Sequence, residues 1–226
     1  MEFWQRSKTM AKDMLFYGKK IFFLGAHPDD IELGCGGLIA HITPKAEVFC
    51  ITLSDNQKNP LLTNLVQEHQ ASMQILGVKP DHVILKDFTT RRFQHERQEI
   101  LEFLFELNKK YHPDIVFTHT KADLHQDHST VTMETLRAFR GISVFGFDVI
   151  RSSSGFFPHF LVKIDEQDVE KKVAALGAYT TYQDKYYFSD EVTRATLLRN
   201  GAIAESKYAE GFDIFRMIGS FSTLHE

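Results

Sequence analysis

His27-Pro28-Asp29-Asp30 sets one imidazole beside two carboxylates. The quartet follows the apolar run Ile21-Phe22-Phe23-Leu24-Gly25-Ala26. A buried strand over that run would deliver these side chains at its carboxyl end. In an open α/β sheet, ligands bind at that edge. Adjacent carboxylates are costly to desolvate unless a cation pairs with them, and a divalent metal does so at least cost. The chemistry suggested is metal-dependent hydrolysis of an amide.

A second polar cluster, His119, Asp123, His125, Asp127 and His128, follows the apolar stretch Asp114–Thr118. It too should sit at a strand's carboxyl end, ahead of a helix. In a doubly wound sheet such loops converge on one crevice, although about a hundred residues separate them here. His27, Asp30 and His128 then make a set of two imidazoles and one carboxylate. Three protein ligands with an open fourth place describe a catalytic zinc site. The same set suits iron(II). Asp29 is the spare carboxylate, placed to take a proton from an attacking water. His125 would serve the developing oxyanion or the leaving amine. Asp127 would orient the His125 ring, with Asp123 as a rival for that task. A plainer reading makes Asp29 or Asp30 a helix cap. His119 reads as a core or supporting histidine. His69, His82, His95, His112 and His159 stand alone.

The elements that must position these residues alternate. Strands are expected over 20–26, 47–53, 82–85, 114–118, 142–149 and 160–164. Helices are expected over 36–43, 61–76, 93–111, 127–139, 168–179 and 190–200. This rhythm predicts an α/β fold, a Rossmann-like three-layer α/β/α arrangement with a mostly parallel sheet. One domain is expected over 1–226. It comprises an N-terminal extension (1–19) with amphipathic character, a Rossmann-like half (20–140) and a less regular half (141–226). Gly34-Cys35-Gly36-Gly37 fails the dinucleotide fingerprint, since Ile39 occupies the third glycine's place. These glycines are expected to allow close backbone approach beside the metal, at a helix N-terminus. Tyr179, Tyr182, Tyr186, Tyr187 and Phe188 form either packing or a wall for a ring-shaped ligand.

Composition sets the outer bounds. The 226 residues are 43% hydrophobic and 25% charged, as in ordinary globular proteins. A net charge of -4 supplies no global field for nucleic acid, so none is expected as a partner. No apolar run approaches a membrane span. Cys35 and Cys50 make no disulfide framework, and with no export signal apparent a cytoplasmic location is expected.

The two acidic-histidine motifs resemble those of the LmbE-like, or PIG-L-like, deacetylase family. The matching residues are Gly25-Ala26-His27-Pro28-Asp29-Asp30 with Glu32 and Gly34, then Asp123-Leu124-His125-Gln126-Asp127-His128. Lys172, Ala175-Leu176, Tyr179, Gln183, Arg199, Gly201, Tyr208-Ala209-Glu210 and Phe212 extend the resemblance to about Met217. The resemblance implies zinc-dependent removal of an acetyl group from an N-acetylated sugar, typically a conjugate of N-acetylglucosamine. It implies ligand roles for His27, Asp30 and His128, a base at Asp29 and an oxyanion partner at His125. It also implies a homo-oligomer. Two departures border the expected pocket. Ser54–Lys58 replaces a Gly- and Glu-containing loop, and Leu65 stands where relatives often carry Arg.

Arg91-Arg92-Phe93, after the third strand, is expected to form a pocket rim that meets an anion, with Arg92 and Tyr182 as substrate contacts. The competing reading of Arg91-Arg92 is a solvated helix start. Other functional classes remain: a non-catalytic, metal-stabilised carbohydrate-binding protein, an amidohydrolase on a non-sugar amide, or a nucleotide-binding oxidoreductase or transferase.

Overall fold

The computed structural model describes residues 15–59 and 62–219. The amphipathic reading of the N-terminal extension falls mostly on 1–14, outside the described residues. β1 (Lys20–Gly25), β2 (Glu47–Thr52), β3 (Val83–Leu85), β4 (Ile115–His119) and β5 (Ser143–Phe147) run parallel. β6 (Phe160–Ile164) and β7 (Tyr208–Arg216) complete a sheet of order β3-β2-β1-β4-β5-β7-β6. β7 pairs antiparallel with both of its neighbours. The sheet is thus mixed but mostly parallel, as expected.

Alternation along β1 explains the layers. Ile21 and Phe23 point to one face, Phe22 and Leu24 to the other, because successive strand side chains oppose each other. The first face carries α1 (Asp30–Ile42), α2 (Leu65–Ile75) and α5 (Glu166–Gly177), packed over Phe117, Phe145 and Phe212. The second carries α3 (Arg97–Tyr111) and α4 (Gln126–Ala138), which bury Ile100, Leu104, Val131 and Phe139. A smaller cluster of Ile164, Val169, Leu197 and Tyr208 joins α5 and α6 (Asp190–Ile203) to the end of the sheet.

Three expectations change. α1 begins at Asp30, not near Gly36, so the glycines lie inside the helix rather than at its N-terminus. They serve helix packing. A Cβ on Gly34 would lie 2.3 Å from the Phe147 ring, and one on Gly37 would lie 2.5 Å from Ile164. Cys35 is fully buried in the core and has no place at the site. β7 escaped the periodicity reading because Glu210, Gly211 and Asp213 interrupt its apolar pattern. Glu210 is buried there with a purpose: it accepts from Gly37 N (2.9 Å), Leu38 N (2.7 Å) and Lys172 Nζ (2.6 Å). Lys172 also donates to the Leu33 carbonyl (2.7 Å), so this ion pair pins α1 to α5 and β7.

Candidate metal centre

β1 and β4 lie side by side, while β2 and β5 continue outward on opposite sides. Their carboxyl ends therefore flank the point where strand order reverses, the usual ligand crevice of such sheets. The β1–α1 turn delivers His27, Asp29 and Asp30. The β4–α4 loop delivers Asp123, His125, Asp127 and His128. The two distant loops meet, as the sequence led us to expect.

The donor atoms are close. His128 Nε2 lies 3.3 Å from His27 Nδ1 and 3.4 Å from Asp30 Oδ1. His27 Nδ1 lies 3.5 Å from Asp30 Oδ2. Each imidazole has its other nitrogen held by a carboxylate: His27 Nε2 by Asp127 Oδ2 (3.0 Å) and His128 Nδ1 by Asp123 Oδ2 (2.8 Å). Metal-binding histidines are commonly oriented by such partners. Asp30 Oδ2 accepts from the backbone of Ala26 (3.1 Å) and His27 (2.8 Å), which fixes the carboxylate over the turn. Two overlapping groups, His27/His125/His128 and Asp30/His119/His128, each place ligand atoms within 4.8 Å of one another. This buried His/Asp cluster could hold a metal ion.

Charge follows from packing. Burial opposes a charge on His27, but Asp127 and Asp30 outweigh it and push its pKa up to about 10. A cation bound at His27 would have to displace this proton. Burial also works against the Asp30 carboxylate, yet His128, His119 and His27 hold it well below the usual range. Asp29 goes the other way: burial and the Asp30 charge push it well up. Burial, with His128 and His27 as like charges, lowers His125 to about 4, and burial with His128 lowers His119 to about 3.

Asp29 occupies the N-cap position of α1 but makes no side-chain cap hydrogen bond. Its backbone is left-handed, with φ 107°, a conformation that costs a non-glycine residue about 1–3 kcal/mol. The capping reading therefore does not explain it, and its carboxylate lines the cavity. His125 is the N-cap of α4, and its Nδ1 accepts from Asp127 N (3.2 Å). With Nδ1 accepting, the ring proton of the neutral form sits on Nε2, available to a ligand. The His125 and His128 rings stack at 4.4 Å.

Two assignments change. The Asp127 carboxylate holds His27, not His125, and also accepts from Arg91 N (2.5 Å) and Phe93 N (3.3 Å). Arg91, not Arg92, lines the cavity, while Arg92 is exposed outside it. The left-handed backbone at Arg91 (φ 64°) turns the chain there in a way that spacing does not reveal. His119 is the buried supporting histidine expected, bonded to Ala26 N (3.1 Å) and stacked on His128 at 3.9 Å.

The cavity above the cluster has a volume of about 820 Å³. The tyrosine cluster divides over it. Tyr182 and Tyr187 line the cavity, while Tyr179 is buried beneath. The Tyr179 hydroxyl donates to Glu32 Oε1 (2.5 Å) and lies 2.8 Å from His69 Nδ1. His69 reaches Thr52 Oγ1 at 3.2 Å, so the histidine read as solitary joins a buried network below α1. Glu68 accepts from Thr180 Oγ1 and from Thr181 N (3.1 Å), tying the Tyr182 turn to α2.

A mostly parallel α/β sheet with a buried His/Asp crevice at its reversal point could hold a metal ion, and it lacks the glycine pattern of a dinucleotide site. The family can be stated outright. Residues 22–139 match the PIG-L family model, described as GlcNAc-PI de-N-acetylase, and the chain belongs to that deacetylase family. An uncharacterized deacetylase, YaiS of Escherichia coli K12, is 29% identical over 165 residues, covering 70% of this chain and 89% of its own. The diacetylchitobiose deacetylase of Thermococcus kodakarensis is 24% identical over 205 residues, covering 85% of this chain and 71% of its own. Among solved structures, a 4-carboxy-2-hydroxymuconate hydratase from Pseudomonas putida KT2440 superposes with a TM-score of 0.73 at 18% identity, covering 91% and 99% of the two chains. That likeness concerns the fold alone, so the reaction must be argued from the site.

Proposed function

We propose that this protein is a zinc-dependent hydrolase that removes the N-acetyl group from an N-acetylated amino sugar. The observation that carries the reading is the convergence of His27 Nδ1 and His128 Nε2, 3.3 Å apart, on the Asp30 carboxylate, whose Oδ1 lies 3.4 Å from His128 and whose Oδ2 lies 3.5 Å from His27. A four-coordinate zinc with bonds of about 2.0–2.1 Å has ligand–ligand edges of roughly 3.3 Å. His27, Asp30 and His128 would hold the ion, with iron(II) as the alternative occupant of the same donors. When bound, such an ion lowers the pKa of a water and polarises an acyl oxygen.

The chain's own residues supply the rest. Asp29 takes the proton of the attacking water and returns it to the departing amine nitrogen as the C–N bond breaks; a cation held by the site would offset the like charge of Asp30 and favour ionised Asp29. His125 donates its Nε2–H to the acyl oxygen as negative charge develops there. A neutral ring whose proton is fixed by the Asp127 backbone fits that task better than proton delivery to the amine. Asp127 and Asp123 hold the two ligand imidazoles in place. Tyr182 and Tyr187 line the cavity and offer aromatic surface to a sugar ring.

The experiment is acetate release from N-acetylglucosamine, N,N′-diacetylchitobiose and N-acetylglucosamine conjugates, before and after chelation, with zinc or iron(II) restored. Metal-dependent acetate release is expected. Glycan binding without acetate release would favour the non-catalytic carbohydrate-binding reading instead.

A further inference from the structure

The cavity wall is electrically lopsided. Asp29 and Asp30 are the carboxylates that line it among the described residues, and both lie at the metal cluster. An ion bound there would balance them. Around them stand Lys58, Arg91, Arg151 and Lys185. Lys185 pairs with Asp184 (3.5 Å), whereas among the described residues Lys58, Arg91 and Arg151 make no ion pair within 4.0 Å, although the Arg151 charge reaches Asp29.

Solvated cations on a surface are common, but these three are registered against the site. The Arg91 amide donates to Asp127 (2.5 Å), the carboxylate that orients His27. Its left-handed backbone is one that non-glycine residues rarely adopt. Arg151 precedes Ser152, whose hydroxyl donates to Asp123 Oδ2 (2.8 Å), the same oxygen that orients His128. The Leu124 amide donates to the Ser152 carbonyl (2.9 Å), fixing that loop against the metal loop. The Arg151 guanidinium lies 5.4 Å from the Tyr187 ring centre, which keeps it over the cavity. Lys58 Nζ is held by Thr89 Oγ1, in the segment that leads to Arg91.

We propose that Lys58, Arg91 and Arg151 form an anion subsite, and that the substrate is an N-acetylated amino sugar bearing a phosphate or carboxylate group. This rests on the deacetylase reading and narrows its substrate class. Leu65 contributes no cation from α2, so recognition falls to these loops. Guanidinium groups suit phosphate and carboxylate because their planar donors match two oxygens at once.

The test uses zinc-loaded protein and compares kcat/KM for N-acetylglucosamine 1-phosphate and N-acetylmuramic acid with that for N-acetylglucosamine. The wild type is expected to prefer one anionic substrate by tenfold or more; which one identifies the anion. Arg91→Gln and Arg151→Gln should each lower that preference by roughly tenfold, mostly through KM, the loss expected for a charged hydrogen bond. Added salt should lower it too. Turnover with no preference for charge, or a preference unchanged in both variants, would overturn the subsite and leave the deacetylase reading standing. Calorimetry with glucosamine 1-phosphate and glucosamine separates the two ideas. Binding of the phosphate that depends on Arg91 and Arg151, with no acetate released from any substrate, would keep the subsite and sink the deacetylase reading. No binding and no turnover would overturn both.

Discussion

Replacing Asp127 by Asn probes how the site is held without touching a proposed ligand. The Asp127 carboxylate accepts three donors: His27 Nε2 at 3.0 Å, Arg91 N at 2.5 Å and Phe93 N at 3.3 Å. An amide offers one oxygen. With that oxygen in the Oδ2 position it keeps His27 and Arg91, and its NH2 then meets the Phe93 N–H, donor against donor. With the amide flipped, it loses both short contacts. The first arrangement wins, at the cost of one charge-assisted bond, about 1.5–3 kcal/mol. For a chain of this size that lowers Tm by roughly 3–12 °C. The His27 ring also loses the negative charge that fixes it and raises its basicity. Metal affinity should fall about 10–100-fold, the usual effect of removing such an orienting carboxylate. The assay is zinc competition against a calibrated chelator, with Tm measured in parallel. Zinc affinity within about twofold of wild type, alongside the expected fall in Tm, would refute the orienting role.

Asp29→Asn should keep zinc content and lower kcat by about 100-fold or more, the range typical of a lost general base; metal analysis beside acetate release checks both halves. Lys172→Met should destabilise the fold by about 3–5 kcal/mol, because Glu210 is left charged and unpaired in the core; denaturant unfolding reads it, and restored stability in Lys172→Met/Glu210→Gln would support the cause. His27 gives a pH signature in the metal-free protein. Its folded pKa is raised from 6.5 to about 10, so its stabilising contribution is complete below about 6.5 and fades as pH climbs towards 10. The Tm gap between chelated wild type and His27→Gln should therefore narrow over that window, and a gap that widened would contradict it. Below pH 10 zinc must displace that proton, so zinc affinity should rise by up to tenfold per pH unit between about 7 and 9.

Much of this organisation was legible in the residues. β1 and β4 are continuous apolar runs ending in polar clusters, and periodicity reads such patterns directly. The meeting of His27, Asp30 and His128 followed from topology, since strand ends on either side of a reversal point must be neighbours. What escaped depended on side-chain direction. Asp127 is two residues from His125 yet turns to His27, because the helix starts at Gln126 and its first turn faces β1. Arg91 and Arg92 are adjacent in sequence, and only a left-handed residue decides which one faces the cavity. Glu210 and Lys172 look polar in isolation, and their mutual burial appears only once α1, α5 and β7 are assembled. The glycines of α1 read as a ligand-facing turn because close packing against Phe147 and Ile164 leaves no local signal.

The central claim is that one divalent ion sits between the β1 and β4 loops. X-ray absorption at the zinc edge, on protein loaded with one equivalent of zinc, tests it most directly. The account predicts two imidazole nitrogens and carboxylate or water oxygens at about 2.0–2.2 Å, with one imidazole lost in either His27→Gln or His128→Gln. A sulfur scatterer near 2.3 Å, or a spectrum unchanged by both substitutions, would contradict it.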